Sequence, residues 1–186
     1  MMSTNKMGSC LTQQGNDEDM GQWAWQERFE CQDQKHLTII TAYQVSQKST
    51  QSVQMDTAFM QQWRFLKTQQ VDLFNPRAQF WQDLSAKMQQ FQEEGHEIIL
   101  MLDANSDFDD VQFLQMVTKH KLLDLHLNLN SLTPPPELYR RKKKKIDFIL
   151  GSLVFFQAVV RGGIMDYNNG LKYSHHQESS TFHRRG

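Results

Sequence analysis

The sequence predicts an α/β fold, in which helices pack against a sheet. Three observations indicate it. An amphipathic helix is predicted between Asn75 and Gly95, a buried strand follows at 96–103, and a second helix begins near Asp107. Helix, strand and helix in this order are typical of a helix-covered sheet. The 186 residues suffice for one domain with a core and are too few for two ordinary domains.

Residues 1–20 are expected to be disordered, because polar and acidic residues dominate there without an apolar period. They show no apolar run of the kind found in a secretory signal. Cys10 and Cys31 are too few for a disulfide framework, so we expect an intracellular protein without a disulfide-linked partner. No apolar run approaches the roughly 20 residues of a membrane span, so no membrane partner is expected.

Residues 21–47 predict a hairpin. Trp23, Trp25 and Phe29 alternate with polar residues as in a half-buried strand. The run 37–43 is short, apolar and β-branched, which is typical of a strand covered on both faces. The turn is expected around residues 32–35.

Two helices are predicted next. The first is a weak one near Ala58–Thr68, in a Gln- and Ser-rich connection. The second is well marked, since Asn75 can cap it, Pro76 suits its first position and Gly95 can close its end. Its apolar stripe is Phe80, Leu84, Met88 and Phe91. This stripe predicts an amphipathic helix of about five turns.

The third helix should carry Asp109 and Asp110 in its first turn, where the helix dipole favours anions. Beyond it, the prolines of 133–136 require an extended or turn conformation. A strand is predicted at 146–150, followed by a further apolar stretch at 153–160. Residues 177–186 are polar and are expected to form a tail.

The charge is unevenly distributed. The formal net charge is −1, yet residues 140–186 carry ten Lys/Arg and three Asp/Glu. This end opens with a basic run, defined as Arg140, Arg141, Lys142, Lys143, Lys144 and Lys145. Such a run is usually a solvated loop. It also suits phosphate contacts or a nuclear import signal, and the sequence leaves all three readings open.

Asp103 and Asn105 lie where a buried strand ends and a helix begins, the edge at which open α/β sheets bind ligands. Residues i and i+2 of an extended chain point the same way, so a carboxylate and an amide would face one side. The carboxylate can bind Mg²⁺ or take a proton from water, and the amide can donate to a phosphoryl oxygen. The alternative is an ordinary acidic strand-to-helix cap.

Asp147 lies inside an apolar run, after Ile146 and before Phe148-Ile149-Leu150, so we expect it to be mostly buried and paired. His175 and His176 are candidate partners. The alternative for these histidines is a solvated tail. A zinc site at them has no ligand spacing to support it.

Four motifs in this order resemble the endonuclease/exonuclease/phosphatase superfamily. They are Thr41-Ala42-Tyr43, Leu102-Asp103-Ala104-Asn105, Lys145-Ile146-Asp147-Phe148-Ile149-Leu150 and Ser174-His175-His176. The corresponding family patterns are T-A-Y, G-D-F-N, an R/K-I-D-Y-I-L strand and a closing S-D-H. Gly21-Gln22-Trp23-Ala24-Trp25 and Val159-Val160-Arg161-Gly162-Gly163-Ile164 are similar to the retrotransposon endonuclease-type branch.

The resemblance implies a deoxyribonuclease-like four-layered α/β sandwich, of which residues 21–176 would be the C-terminal part, with the N-terminal strands missing. It implies a phosphodiesterase of the endonuclease type that uses Mg²⁺ or Mn²⁺ and acts on nucleic acid, DNA rather than RNA. The chain would be a truncated retroelement-derived copy. A nuclear location is suggested by the basic run and by the habit of the family.

The resemblance also implies roles for single residues. Asp103 would orient or deprotonate the attacking water, and Asn105 would hold the scissile phosphate. Tyr43 would lie near that phosphate. Asp147 would pair with His176, and the resulting cationic imidazole would stabilise the charge of the phosphorane.

The sequence departs from the family at the metal site. The segment that brings the metal-binding Glu has no counterpart, and upstream of Gly21 we expect no strand that ends in an acid. His175 occupies the aspartate position of S-D-H, and an imidazole is a poor ligand for Mg²⁺. Asp103 remains a weak metal ligand candidate. The alternatives are therefore a catalytically dead remnant that binds nucleic acid through the basic run, or an unrelated α/β interaction domain.

Overall fold

The structure is a computed structural model that describes residues 11–17, 19–30, 35–46, 57–69, 75–106, 110–125 and 146–158. These residues form a six-stranded mixed sheet and four helices. The strands are β1 (Leu11–Asn16), β2 (Trp23–Glu30), β3 (Lys35–Tyr43), β4 (Glu97–Asp103), β5 (Leu122–Asp124) and β6 (Asp147–Ser152). The helices are α1 (Ala58–Thr68), α2 (Pro76–Glu93), α3 (Val111–Lys119) and α4 (Leu153–Ala158). The predicted α/β fold is confirmed.

The strands lie in the order β1-β2-β3-β4-β6-β5. The pairs β1–β2 and β2–β3 are antiparallel, with Trp25 opposite Ile40, as the predicted hairpin requires. β4 runs parallel to β3, and the chain between them includes α1 and α2. A parallel neighbour needs such a crossover because a tight turn can join antiparallel strands only. β6 is antiparallel to both β4 and β5.

The core lies between one face of the sheet and the helices α2 and α3. All four residues of the predicted α2 stripe are buried. They meet the alternate residues Ile40 of β3, Leu100 of β4 and Leu150 of β6, each fully shielded from solvent. Complete burial of one such side chain contributes about 1.5–3 kcal/mol. On α3, the ring centroid of Phe113 lies 4.6 Å from that of Phe148, which joins this helix to β6.

Side-chain caps set the beginnings of the helices. The Asn75 side-chain oxygen accepts from the N–H of Arg77 at 3.0 Å, and Pro76 occupies the first helical position, as predicted. The Asp110 carboxylate accepts from the N–H of Gln112 at 2.9 Å. α3 therefore begins at Val111 and not near Asp107, because Asp110 serves as its cap and not as part of its first turn.

The predicted disorder of residues 1–20 is wrong for the six residues of β1. Backbone hydrogen bonds to β2 hold this strand, so it needs no apolar period of its own. Gly15 faces Trp25 across the pair, and a Cβ atom on Gly15 would lie 2.7 Å from Trp25 Nε1. A glycine here lets the indole lie flat against the β1 backbone. Residues 1–10 lie outside the described residues.

Two further segments complete the described structure. β5 is a three-residue strand, too short to give a sequence signal. The apolar stretch after β6 forms the short helix α4. Within the described ranges, no helix has the length and hydrophobicity that a membrane crossing requires.

Candidate active site

Three of the predicted site residues lie in one row at one end of the sheet. Tyr43 pairs with Asp103 across β3 and β4, and Asp103 pairs with Asp147 across β4 and β6. Residues paired in register point to the same side of a sheet. Leu102, next to Asp103, belongs to the core, so the row faces away from α2 and α3. Since neighbouring strands lie about 4.8 Å apart, the row is roughly 10 Å long.

The row is accessible. Tyr43 is 47% exposed, Asp103 is half-buried and Asp147 is exposed. The expectation that Asp147 is mostly buried is therefore wrong. Asp147 is the first residue of β6 and lies on the face opposite the helices, whereas its neighbour Phe148 enters the core. Desolvation consequently gives no reason to require a buried partner for Asp147.

Asn105 is held beside this row by its own backbone and side chain. Its N–H donates to Asp103 Oδ1 at 3.2 Å, and its Nδ2 donates to the carbonyl oxygen of Gln44 at 2.7 Å. Asn105 has a φ of 43°, in the left-handed region that asparagine tolerates better than most residues. The amide carries two protons and Gln44 takes one, so the second can donate to a ligand.

Arg77, which the sequence analysis did not single out, supports the site from the first turn of α2. Its Nη1 donates to the carbonyl oxygens of Val45 at 3.3 Å and of Asn105 at 3.4 Å. Its Nη2 donates to Ser106 Oγ and lies 3.8 Å from Asp110 Oδ2. One guanidinium thus connects the segments after β3 and β4 and the beginning of α3.

The Arg77 side chain is mostly shielded from solvent, with 17% of its surface exposed. Burial lowers the pKa of Arg77, and the negative charge of Asp110 opposes that shift. Gln44 is fully buried, accepts from Ser106 Oγ at 3.2 Å and donates to the carbonyl oxygen of Arg77 at 3.3 Å. A sequence signal for Arg77 did exist: a cation in the first turn of a helix opposes the helix dipole, which indicates a specific partner.

The turn between β1 and β2 reaches the same end of the sheet. A strand does lie upstream of Gly21, but β1 ends at the amide Asn16, and the acid Asp17 follows the strand. The Asp17 carboxylate accepts three backbone N–H groups of this turn, including that of Gln22 at 3.0 Å. The Gln22 carbonyl in turn accepts the Tyr43 N–H at 2.8 Å. Asp17 therefore shapes the turn beside Tyr43, outside the row.

The donor set of the row fits a hard divalent cation. Asp103 supplies carboxylate oxygens at the centre of the row, and Mg²⁺ is held in proteins by one or two carboxylates with water and phosphate. Mg²⁺ is implied by the motif resemblance alone.

His175, His176 and the basic run, Arg140 to Lys145, lie outside the described residues, so their position relative to the row stays a prediction.

No model of a protein family matches the sequence, and no curated protein matches it. Several solved structures are similar to the chain. The catalytic domain of human Nocturnin with bound sulfate anion is similar at a TM-score of 0.51 and 16% identity, over 77% of this chain and 48% of that one. The Xenopus laevis APE2 catalytic domain is similar at a TM-score of 0.44 and 12% identity, over 74% of this chain and 48% of that one.

An endonuclease/exonuclease/phosphatase family protein from Bacteroides thetaiotaomicron is similar at a TM-score of 0.44 and 13% identity, over 70% of this chain and 41% of that one. The chain therefore spans about half the length of the structures that it matches. Its six-stranded sheet and helices share the fold of the matched part of the Nocturnin catalytic domain.

Proposed function

We propose that this chain carries the water-activating and phosphate-binding side of a metal-dependent phosphodiesterase that cleaves nucleic acid. The row of Tyr43, Asp103 and Asp147 supports the proposal best. It places one phenol and two carboxylates on neighbouring strands, close enough together to act on a single phosphate group. Asn105 adds an amide donor next to the central carboxylate. These are the residues that match the motifs of the superfamily that the sequence resembles.

Each side chain has a task that its chemistry allows. Asp103 accepts a proton from water or orients it toward phosphorus. Asn105 donates its second amide proton to a phosphoryl oxygen, and the Tyr43 hydroxyl donates to the same phosphate group. Asp147 orients His176, which as an imidazolium stabilises the negative charge that develops on the phosphorane.

Mg²⁺ or Mn²⁺, when bound, would neutralise charge on the phosphate oxygens. Asp103 is the carboxylate proposed to hold it, with water and phosphate as further ligands. His175, at the aspartate position of the S-D-H motif, is unsuited to Mg²⁺ because the ion prefers oxygen ligands. We therefore expect this site to bind Mg²⁺ weakly, so that activity requires a higher metal concentration than nucleases ordinarily need.

DNA is the proposed substrate. The motif similarity to retrotransposon endonucleases favours it, and the basic run offers six cations for phosphates. RNA is the competing polymer, and the side chains in the row carry no group that would select for or against a 2′-hydroxyl by itself.

Nicking of supercoiled plasmid DNA with and without Mg²⁺ tests the proposal. We expect Mg²⁺-dependent nicking that falls at least about a hundredfold in Asp103→Asn, because the group that activates water is lost. Glu93→Gln is the matched control, since it also changes an acid to its amide but lies in the exposed last turn of α2. Nicking that survives Asp103→Asn would come from a contaminant and would overturn the assignment.

The second candidate function is binding of nucleic acid without cleavage. It is favoured by His175 at the aspartate position of the S-D-H motif, because an imidazole is a poor ligand for Mg²⁺. Affinity for a DNA duplex should then fall steeply with salt and fall further when the basic run is neutralised. Binding that is independent of salt would contradict this candidate.

A further inference from the structure

A second cluster of chemically active side chains lies on the core side of the sheet, at the end opposite the row. Glu27 of β2 pairs with Thr38 of β3, and His36 precedes Thr38 by two residues on the same face. His96 directly precedes β4. Asp103 follows His96 by seven positions of extended chain, so the two sites are roughly 20 Å apart.

The three side chains converge. One carboxylate oxygen of Glu27 and one ring nitrogen each of His36 and His96 all lie within 4.8 Å of one another. His36 Nδ1 is hydrogen-bonded to Glu27 Oε1. The two imidazole rings stack with their centroids 5.0 Å apart and their planes at 11°. Two imidazoles and one carboxylate therefore present ligand atoms to one small space.

Glu27 is a charged ligand buried in the sheet. It is 5% exposed. Its Oε1 is hydrogen-bonded to His36 Nδ1, so the carboxylate has its partner inside the cluster and not in solvent.

His96 is oriented from outside the cluster, as metal-binding histidines are. Its Nδ1 lies 2.8 Å from Thr38 Oγ1, and Thr38 is fully buried. Phe91 stacks on the other side of the ring, with centroids 5.5 Å apart. The hydrogen bond between Nδ1 and the threonine hydroxyl fixes the orientation of the ring, as hydrogen-bond partners do for metal-binding imidazoles. Nε2 lies 3.9 Å from Glu94 Oε2.

We propose that Glu27, His36 and His96 bind a zinc-class divalent cation. Two imidazole nitrogens and one carboxylate oxygen are a ligand set that Zn²⁺ accepts, with water or the Glu94 carboxylate in the fourth position. Mg²⁺ would be selected against, because it prefers oxygen ligands. The metal would cross-link β2, β3 and the residue that precedes β4, and its role would be structural.

The competing account is a metal-free ion pair between Glu27 and His36 with His96 stacked beside it. It explains the contact between Glu27 and His36 and pairs His96 Nε2 with the Glu94 carboxylate 3.9 Å away, but it predicts no affinity for a metal. The two accounts differ in one measurable property, the affinity of the chelator-treated protein for Zn²⁺ and Co²⁺.

The test uses the full chain after treatment with EDTA. Co²⁺ is titrated and its visible ligand-field absorption is followed, and Zn²⁺ is then added as a competitor. We expect a tetrahedral Co²⁺ spectrum that Zn²⁺ abolishes. Zn²⁺ at about a hundred times its dissociation constant should raise the midpoint of thermal unfolding by roughly 5–10 °C.

His36→Ala and His96→Ala should each weaken the affinity for Co²⁺ at least tenfold. Thr38→Val keeps all three ligands and removes the orienting hydroxyl, so we expect a loss of about tenfold. Glu93→Gln, outside the cluster, is the matched control and should bind as the wild type does. Circular dichroism of each variant checks that the fold is retained.

Three outcomes would overturn the proposal. The first is no Co²⁺ spectrum in a folded wild-type chain. The second is binding that both histidine substitutions leave unchanged, which would place the metal on other residues, such as the cysteines. The third is a stabilisation by Mg²⁺ equal to that by Zn²⁺, because the cluster would then lack the proposed selectivity.

Discussion

The side-chain amide of Asn105 donates a 2.7 Å hydrogen bond to the carbonyl oxygen of Gln44, which joins the chain beyond β4 to the chain beyond β3. These two strands carry Asp103 and Tyr43, so the bond fixes the segments on either side of the proposed water-activating carboxylate. Asn105 thus has a positioning task in addition to the phosphate contact proposed for it.

Substitutions of Asn105 should separate these contributions. Asn105→Gly loses the hydrogen bond and keeps the freedom of a positive φ, so we expect a loss of about 1 kcal/mol of unfolding free energy. Asn105→Ala adds the left-handed strain of a Cβ residue and should lose about 2 kcal/mol. Urea unfolding measures both. Equal losses in the two variants would contradict the backbone part of this argument.

Arg77 should be more important for stability than its partner Asp110. Arg77→Met removes the guanidinium from two carbonyls and from Ser106, and we expect a loss of about 2–3 kcal/mol in urea unfolding. Asp110→Asn preserves the cap of α3 and removes the charge alone, so it should lose about 1 kcal/mol or less. A larger loss in Asp110→Asn than in Arg77→Met would reverse this assignment.

The stability of the chain should depend on pH through His120. This ring is 2% exposed, its Nδ1–H donates to Gln92 Oε1 at 2.7 Å and its Nε2 accepts from Ser85 Oγ at 2.8 Å, which describes the neutral form. Burial, with a smaller contribution from Lys119, lowers the pKa of His120 to about 4 from its ordinary 6.5.

Because the folded pKa lies below the unfolded one, the unfolded state binds more protons at acid pH. The contribution of His120 to the free energy of unfolding is fully present above about pH 6.5. It is lost as the pH falls toward 4, and the total loss is about 3 kcal/mol. Urea midpoints measured from pH 7.5 to 4 should therefore fall less steeply in His120→Gln than in the wild type. Parallel curves would show that His120 is not buried in its neutral form.

Gly15 offers a direct test of β1. Gly15→Ala places a Cβ atom against the indole of Trp25, so we expect a loss of about 1–3 kcal/mol through forced displacement of that side chain. Gln14→Ala, at the adjacent exposed position, is the control and should change stability by no more than about 0.5 kcal/mol. A neutral Gly15→Ala would mean that this strand does not pair with β2.

The elements that local sequence determines could be predicted. The limits of α1, the Asn75 cap of α2 and the β2–β3 hairpin follow from short-range periodicity and capping chemistry, and the structure agrees with each of them. β1 could not be predicted, because an edge strand rich in polar residues is specified by pairing with its neighbour and not by its own pattern.

The site divides in the same way. Asp103 and Asn105 were recognisable from their place after a buried strand, whereas the exposure of Asp147 depends on which face β6 presents. Arg77 acts through partners more than 25 residues away in the chain, and the cluster of Glu27, His36 and His96 is assembled by three elements. Contacts of this kind depend on which strands are neighbours in the sheet, and the spacing of residues in the sequence does not reveal this.

The most direct measurement of the central claim is Mg²⁺-dependent nicking of supercoiled plasmid DNA by the full chain and by Asp103→Asn, with Glu93→Gln as control. We expect the wild type and Glu93→Gln to nick at equal rates and Asp103→Asn to be at least about a hundredfold slower. Equal rates in the wild type and Asp103→Asn, or no nicking by a folded wild-type chain at saturating Mg²⁺ or Mn²⁺, would contradict it.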